Sequence, residues 1–227
     1  TCALPIYGLM YDEVTASNLV KIDLEGNIVE DTPYDINRAG FVIHSAVHGA
    51  RPDVVSVIHT HSRAGAAVSA LKEGFVPVTQ GAFQFYNRIA YHDYEGFALD
   101  LKERQRLIAD LGQRRAMILR NHGLLTCGAT PAEAMTVTRH LVEACEIQMM
   151  LEAAGAGFRI PPPELCEEGA RQMEQHEAKH SGDRARPLRE RAIGERSRSA
   201  GIDTAIHDRL TGRGEGGAGQ GRHDERV

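Results

Sequence analysis

The stretch Val54-Val55-Ser56-Val57-Ile58-His59-Thr60-His61-Ser62-Arg63-Ala64-Gly65-Ala66-Ala67-Val68-Ser69-Ala70 decides how this chain is read. Its first half is apolar and β-branched, the composition of a buried strand. Its second half is a run of small residues that predicts a helix over Arg63 to Lys72, closed by Gly74. A strand that feeds directly into a helix, with histidines at the junction, predicts an α/β domain whose strand ends hold chemistry. His59 and His61 stand at i and i+2, so on a strand both imidazoles face the same side and reach one point in space.

The same alternation extends in both directions. Upstream, Leu19 to Asp23, a Glu25-Gly26-Asn27 turn and Ile28-Val29 predict a hairpin. Phe41 to Ala50 has helical spacing, with Val42, Ala46 and Ala50 four residues apart, and ends before Arg51-Pro52. Downstream, Ile89 to His92 predicts a strand, Asp100 to Leu111 a helix stopped by Gly112, and Ala116 to Leu119 a further strand. Thr130-Pro131-Ala132-Glu133 has the residues of a capping box. The helix it starts carries an apolar stripe of Ala134, Val137, Leu141, Cys145 and Met149 and ends at Gly155.

Composition narrows the function classes. The chain has 227 residues, 42% hydrophobic and 25% charged, which fits one domain with some extra length. Its formal net charge of −5 provides no basic field for nucleic acid or an anionic membrane surface. No apolar run approaches the roughly 20 residues of a membrane helix. The four cysteines, Cys2, Cys127, Cys145 and Cys166, form no C-x-x-C pair, which predicts a reduced cytoplasmic protein. The two ends read differently from the middle. Thr1 to Ile6 matches the translation of a sequencing adapter and reads as non-native, so that native sequence starts near Tyr7. From Ser181 to Val227 there are 10 Arg and 9 Gly but no aromatic residue, the composition of a tail that does not order itself or has lost its frame. The expected organisation is therefore residues 1–6 non-native, 7–166 a domain, and 167–227 a disordered or frame-shifted tail.

Histidines carry the chemistry. Asn121-His122-Gly123-Leu124 follows the strand Ala116 to Leu119, so a third imidazole also lies at a strand end. Three histidines without a cysteine partner suit Zn²⁺ or another borderline divalent ion with one coordination position open. Taken alone, H-x-H is equally compatible with ordinary partly buried histidines. His44 and His48, at i and i+4 on a helix without a glutamate beside them, read as structural. Tyr91-His92-Asp93-Tyr94-Glu95 reads as a solvated turn, and Cys127 and Cys145 as packed thiols.

Several segments together resemble the class II aldolase and adducin family, in its adducin-like branch. They are Tyr7-Gly8-Leu9-Met10 with Thr15-Ala16-Ser17, Ala39-Gly40-Phe41 with His44-Ser45-Ala46, Ala50-Arg51-Pro52-Asp53, His59-Thr60-His61, Ala64 to Ala70, Tyr91-His92-Asp93-Tyr94 and Arg120-Asn121-His122-Gly123. The resemblance implies a three-layer α/β/α domain with a central, mostly antiparallel sheet, assembled as a homotetramer with sites at subunit interfaces. It also implies that His59, His61 and His122 hold a divalent metal, Zn²⁺, acting as a Lewis acid in an aldolase-like lyase that stabilises an enediolate.

The chain departs from the family's enzymes in one segment. Where they carry a Ser-Ser-acid sequence, this chain has Arg38-Ala39-Gly40, so the acid position is Gly40 and the catalytic acid/base is unknown. Arg38 and Asn121 remain as candidate substrate contacts. A phosphate-binding Gly-Asn turn of those enzymes would fall upstream of Tyr7. The substrate class is then a small carbonyl, hydroxy-acid or sugar-derived molecule, converted by aldol cleavage, decarboxylation or dehydration. The alternative is a non-catalytic adducin-like interaction domain with actin as its partner.

Overall fold

The structure, a computed structural model, describes residues 2–4, 9, 11–96, 103–155 and 157–180. Its centre is a four-stranded sheet made of β3 (Ser56–Thr60), β4 (Ile89–His92), β5 (Ala116–Leu119) and β6 (Gly123–Gly128), in the spatial order β3-β6-β5-β4. β3 with β6 and β6 with β5 are antiparallel, and β5 with β4 is parallel. A separate two-stranded ladder joins β1 (Cys2–Leu4) to β2 (Val20–Ile22).

The described helices are α1 (Arg38–Ala50), α2 (Arg63–Ala70), α3 (Gln80–Phe83), α4 (Glu103–Leu111), α5 (Pro131–Ala154) and α6 (Pro163–His180), besides two short 3-10 turns at Tyr11–Glu13 and Ala16–Asn18. Alternation along the strands sorts the core into two clusters, one on each face of the sheet. Met117, Leu119, Leu125 and Cys127 face α1 and α4, where they meet Val42, Ala46, Leu107 and Leu111. Ala116, Ile118 and Leu124 face the other way, against Val68 of α2 and Val137, Leu141 and Cys145 of α5. β5 and β6 are buried along their whole length because both faces are covered, which makes them read as continuous apolar runs. The result is the expected three-layer α/β/α arrangement around a mostly antiparallel sheet.

Local sequence accounts for most boundaries. Asn37 caps α1 by accepting from the N–H groups of Ala39 and Gly40, so the helix starts three residues before its apolar spacing does. Thr130 caps α5 by accepting from Glu133 N–H, and Gly155 ends it in the left-handed region at φ 61°. The reciprocal half of the expected capping box differs: the Glu133 carboxylate accepts from Ala129 N–H and pairs with Arg115 instead of closing on Thr130. Between Leu19 and Val29 the hairpin reduces to β2 and a single bridge from Ile22 to Ile28. Residues 100–102 of the helix expected over Asp100 to Leu111 lie outside the described residues.

Two expectations are corrected. The tail does not begin at residue 167: α6 continues to His180, with Cys166 and Ala170 fully buried. Its glutamates reach remote arginines, Glu167 and Glu174 pairing with Arg88 and Glu177 with Arg115. The remainder of that expected tail, 181–227, lies outside the described residues, as do Thr1 and residues 5–8. The stretch Tyr91 to Glu95 is not a solvated turn throughout, because Tyr91 and His92 are β4 residues and His92 is 4% exposed.

Candidate metal centre

The site forms where three chain segments end on one side of the sheet. β3 delivers His59 in its last turn of pleat and His61 just beyond its end. The turn between β5 and β6, Arg120-Asn121-His122, delivers His122. Their antiparallel neighbour relation brings these ends together, with Thr60 opposite Leu124 in the register.

Each ring centroid lies 4.7 Å from the other two. One ring nitrogen from each histidine can be chosen so that all three lie within 4.8 Å of one another, a group able to hold a metal ion. His59 Nε2 and His61 Nε2 are 2.8 Å apart, close enough to share a proton or a cation.

Supporting contacts prepare the rings for that role. His59 Nδ1 is 2.9 Å from the carbonyl oxygen of Leu124, which can only accept, so Nδ1 carries the hydrogen and Nε2 presents a lone pair to the centre. Burial holds His59 neutral, with its pKa lowered to about 4; the backbone bond to Leu124 opposes this, and the fields of His122, His61 and His44 reinforce it. Burial and the field of His61 also lower the pKa of His122. Neutral imidazoles are the protonation state that ligates a metal.

The His122 turn is pinned from α2. Ser69, buried beneath it, accepts from His122 N–H with its hydroxyl at 3.1 Å and from Asn121 N–H with its carbonyl at 3.1 Å. Asn121 adopts φ 56°, a left-handed conformation that asparagine tolerates better than most residues. Gly123 lets the two strand ends close, since a Cβ there would lie 2.6 Å from Thr60 O and 3.1 Å from His61 Cδ2. Ser69 and Gly123 were not distinguishable in sequence as site residues, because their roles depend on which strand ends meet.

The other candidates are placed as follows. Arg38 is exposed on the first turn of α1, and Asn121 is exposed beside His122. Gly40 is the third residue of α1 and would admit a side chain, its nearest neighbour to an added Cβ being Asn37 Cβ at 3.8 Å. His44, expected to be structural, is half-buried on α1 with a pKa pushed down to about 4 by desolvation, and its field reaches His59. Cys127 and Cys145 are buried, and burial raises both thiols, Cys145 to about 12, in keeping with packed and unreactive groups.

Residues 4–149 match the family model of the class II aldolase and adducin N-terminal domain. The chain belongs to the class II aldolase and adducin family. It is 51% identical over 167 residues to a Caulobacter vibrioides protein whose name places it with the class 2 aldolases, covering 74% of this chain and 65% of that one. It is also 45% identical over 154 residues to alpha-adducin of Rattus norvegicus, covering 66% of this chain and 21% of adducin. Among solved structures, an aldolase II superfamily protein from Pseudomonas syringae superposes with TM-score 0.73 at 47% identity, over 81% of this chain and 76% of that one. L-fuculose 1-phosphate aldolase from Glaciozyma antarctica superposes with TM-score 0.62 at 29% identity, over 80% and 76%. This member of the class II aldolase and adducin family thus spans about two thirds of the length of its bacterial relative. No helix among its described residues is long and apolar enough to cross a membrane.

Proposed function

We propose that this chain is a metal-dependent lyase of the aldolase type, with His59, His61 and His122 as ligands of one divalent ion, Zn²⁺. The observation that carries this reading is the convergence of three imidazole nitrogens, with His59 fixed in the tautomer that turns its lone pair inward. Three neutral donors leave the full charge of a divalent ion uncompensated and leave coordination positions for substrate oxygen atoms. Bound there, the ion supplies Lewis-acid stabilisation of the negative charge that develops on a carbonyl oxygen as an enediolate forms. The chain's own residues bind and orient. Arg38 and Asn121 contact the substrate, a small carbonyl, hydroxy-acid or sugar-derived molecule, and the working assembly is a cytoplasmic homotetramer. With glycine at position 40, the proton-transfer group lies elsewhere.

Elemental analysis of the purified full chain tests this. It should contain about one divalent ion per chain after metal-replete expression, and His59→Ala or His61→Ala should remove it. A metal-free wild-type protein would overturn the reading.

The 45% identity to alpha-adducin favours a second reading, an interaction domain without catalysis. Its test is co-sedimentation with actin filaments, where pelleting with the filaments supports it and a wholly soluble chain counts against it.

A further inference from the structure

The charged groups that the metal centre leaves unused gather beside it, around His92. This imidazole is 4% exposed and lies at the end of β4, where Arg120 N–H donates to its carbonyl oxygen at 2.8 Å. Its Nδ1 is 2.7 Å from Asp110 Oδ2 on α4. Its Nε2 is buried and has no hydrogen-bond partner among the described residues, and Glu103 Oε1 on α4 lies 3.5 Å from it. Glu103 is itself 7% exposed.

Two cavities meet at this histidine. The inner one, about 10 Å³ and therefore room for a single water, is lined by His92, Glu103, Arg120 and the metal-centre residue His122. The outer one, about 430 Å³, is lined by His92, Asp110, Arg106 and Arg120, and the Asp110 side chain is 44% exposed there. The remaining charged groups around both cavities are Asp93 and Glu95 after β4, and Arg106 pairs with Glu95.

We propose that Glu103, His92 and Asp110 form a proton relay that carries a proton outward from the cavity beside His122 to solvent. Asp110 Oδ2 accepts from Nδ1–H, which fixes the tautomer and leaves the Nε2 lone pair on the side of Glu103. Two lone pairs facing each other across 3.5 Å in a buried space repel, and one proton between them removes the conflict. In the transfer step, the Glu103 O–H bond breaks and a new N–H bond forms at Nε2, while the Nδ1–H bond breaks and the proton passes to Asp110. Glu103 is left as a carboxylate, the imidazole stays neutral in its other tautomer, and Asp110 releases the proton to solvent. The relay deepens the lyase reading and rests on it for the source of the proton, since carbon–carbon cleavage next to a hydroxyl begins by removing that hydroxyl's proton. It also gives the chain a proton-transfer route that does not need an acid at Gly40.

The test is nuclear magnetic resonance of the full chain labelled with ¹⁵N-histidine, with His92 assigned by its loss in His92→Gln. Expected for the wild type is a protonated Nδ1 together with an Nε2 resonance between the positions of bare and protonated ring nitrogens. Glu103→Gln can donate an amide N–H but cannot transfer it, and should move Nε2 to the position of an unprotonated nitrogen that accepts a hydrogen bond. Glu103→Asp should restore the intermediate position, and Asp110→Ala, which removes the acceptor, should let the proton leave Nδ1. A wild-type Nε2 at either extreme, or an Nδ1 unchanged in Asp110→Ala, would overturn the relay. Should Glu103→Gln fail to fold, the wild-type Nε2 position alone decides. Metal content of the same samples reports on the three ligands separately, so a metal-free protein with the His92 signature intact overturns the lyase reading and not the shared proton.

Discussion

A methyl group at Gly123 would collide with backbone, at 2.6 Å from Thr60 O, and press on His61. Backbone in a paired strand end does not move as cheaply as a flexible side chain, so Gly123→Ala should cost about 1–3 kcal/mol and displace one ligand. A lowered Tm together with reduced metal content would show it; an unchanged pair of values would mean that the ends of β3 and β6 yield freely. Gly65 is tight against side chains instead of backbone, with Leu124 Cδ1 at 2.6 Å and Ser62 Oγ at 2.7 Å from an added Cβ. His44 makes a prediction about pH. Burial, with the field of His48 adding to it, lowers its pKa from 6.5 to about 4. Between those values the unfolded chain binds a proton that the folded chain refuses, so this contribution is fully present above pH 6.5 and lost as pH falls toward 4. It amounts to on the order of 1–3 kcal/mol, and His59 acts with the same sign. Denaturant midpoints should therefore fall from pH 7 to pH 5, less steeply in His44→Gln. Equal slopes for both proteins would exclude His44 as a source of the effect.

At the scale of elements, α6 shows what local sequence hides. Its buried residues, Cys166 and Ala170, are small, and the face it turns to the domain is held by Glu167, Glu174 and Glu177. Such a helix has no broad apolar stripe and reads as polar tail. Its partners Arg88 and Arg115 lie roughly 60–90 positions upstream by the contacts they make, so no local pattern announces them. Ala170→Asp buries an unpaired charge in that contact and should release the helix, at a cost of several kcal/mol if the group stays ionised. Limited proteolysis would then cut between α5 and α6 faster than in the wild type, whereas an unchanged cleavage rate would contradict the docking. α5 is the opposite case. Its cap, first-turn proline and closing glycine are all local, and Thr130→Ala should cost about 1 kcal/mol in chemical denaturation.

At the scale of the whole molecule, the exposed apolar side chains Val55, Met150, Ile160 and Leu165 remain 50–64% accessible in one chain. The proposed homotetramer would cover some of that surface, and light scattering of the full chain should then give four times the 24.8 kDa chain mass. A single-chain mass would contradict it. The strands β3, β4 and β5, the α5 helix, the family and the pairing of His59 with His61 were legible in the residues, because they depend on periodicities of two and 3.6 and on spacing within one segment. The third ligand was legible only through its strand-end position and the resemblance. Tertiary structure alone decided that β6 lies between β3 and β5, which brings His122 to the H-x-H pair. It also decided that Ser69 pins the His122 turn, that α6 docks by ion pairs, and that His92 is buried between two α4 carboxylates. The physical reason is the same in each case: these contacts join residues far apart in the chain, and hydrogen bonds and ion pairs between distant polar groups leave no period in the sequence.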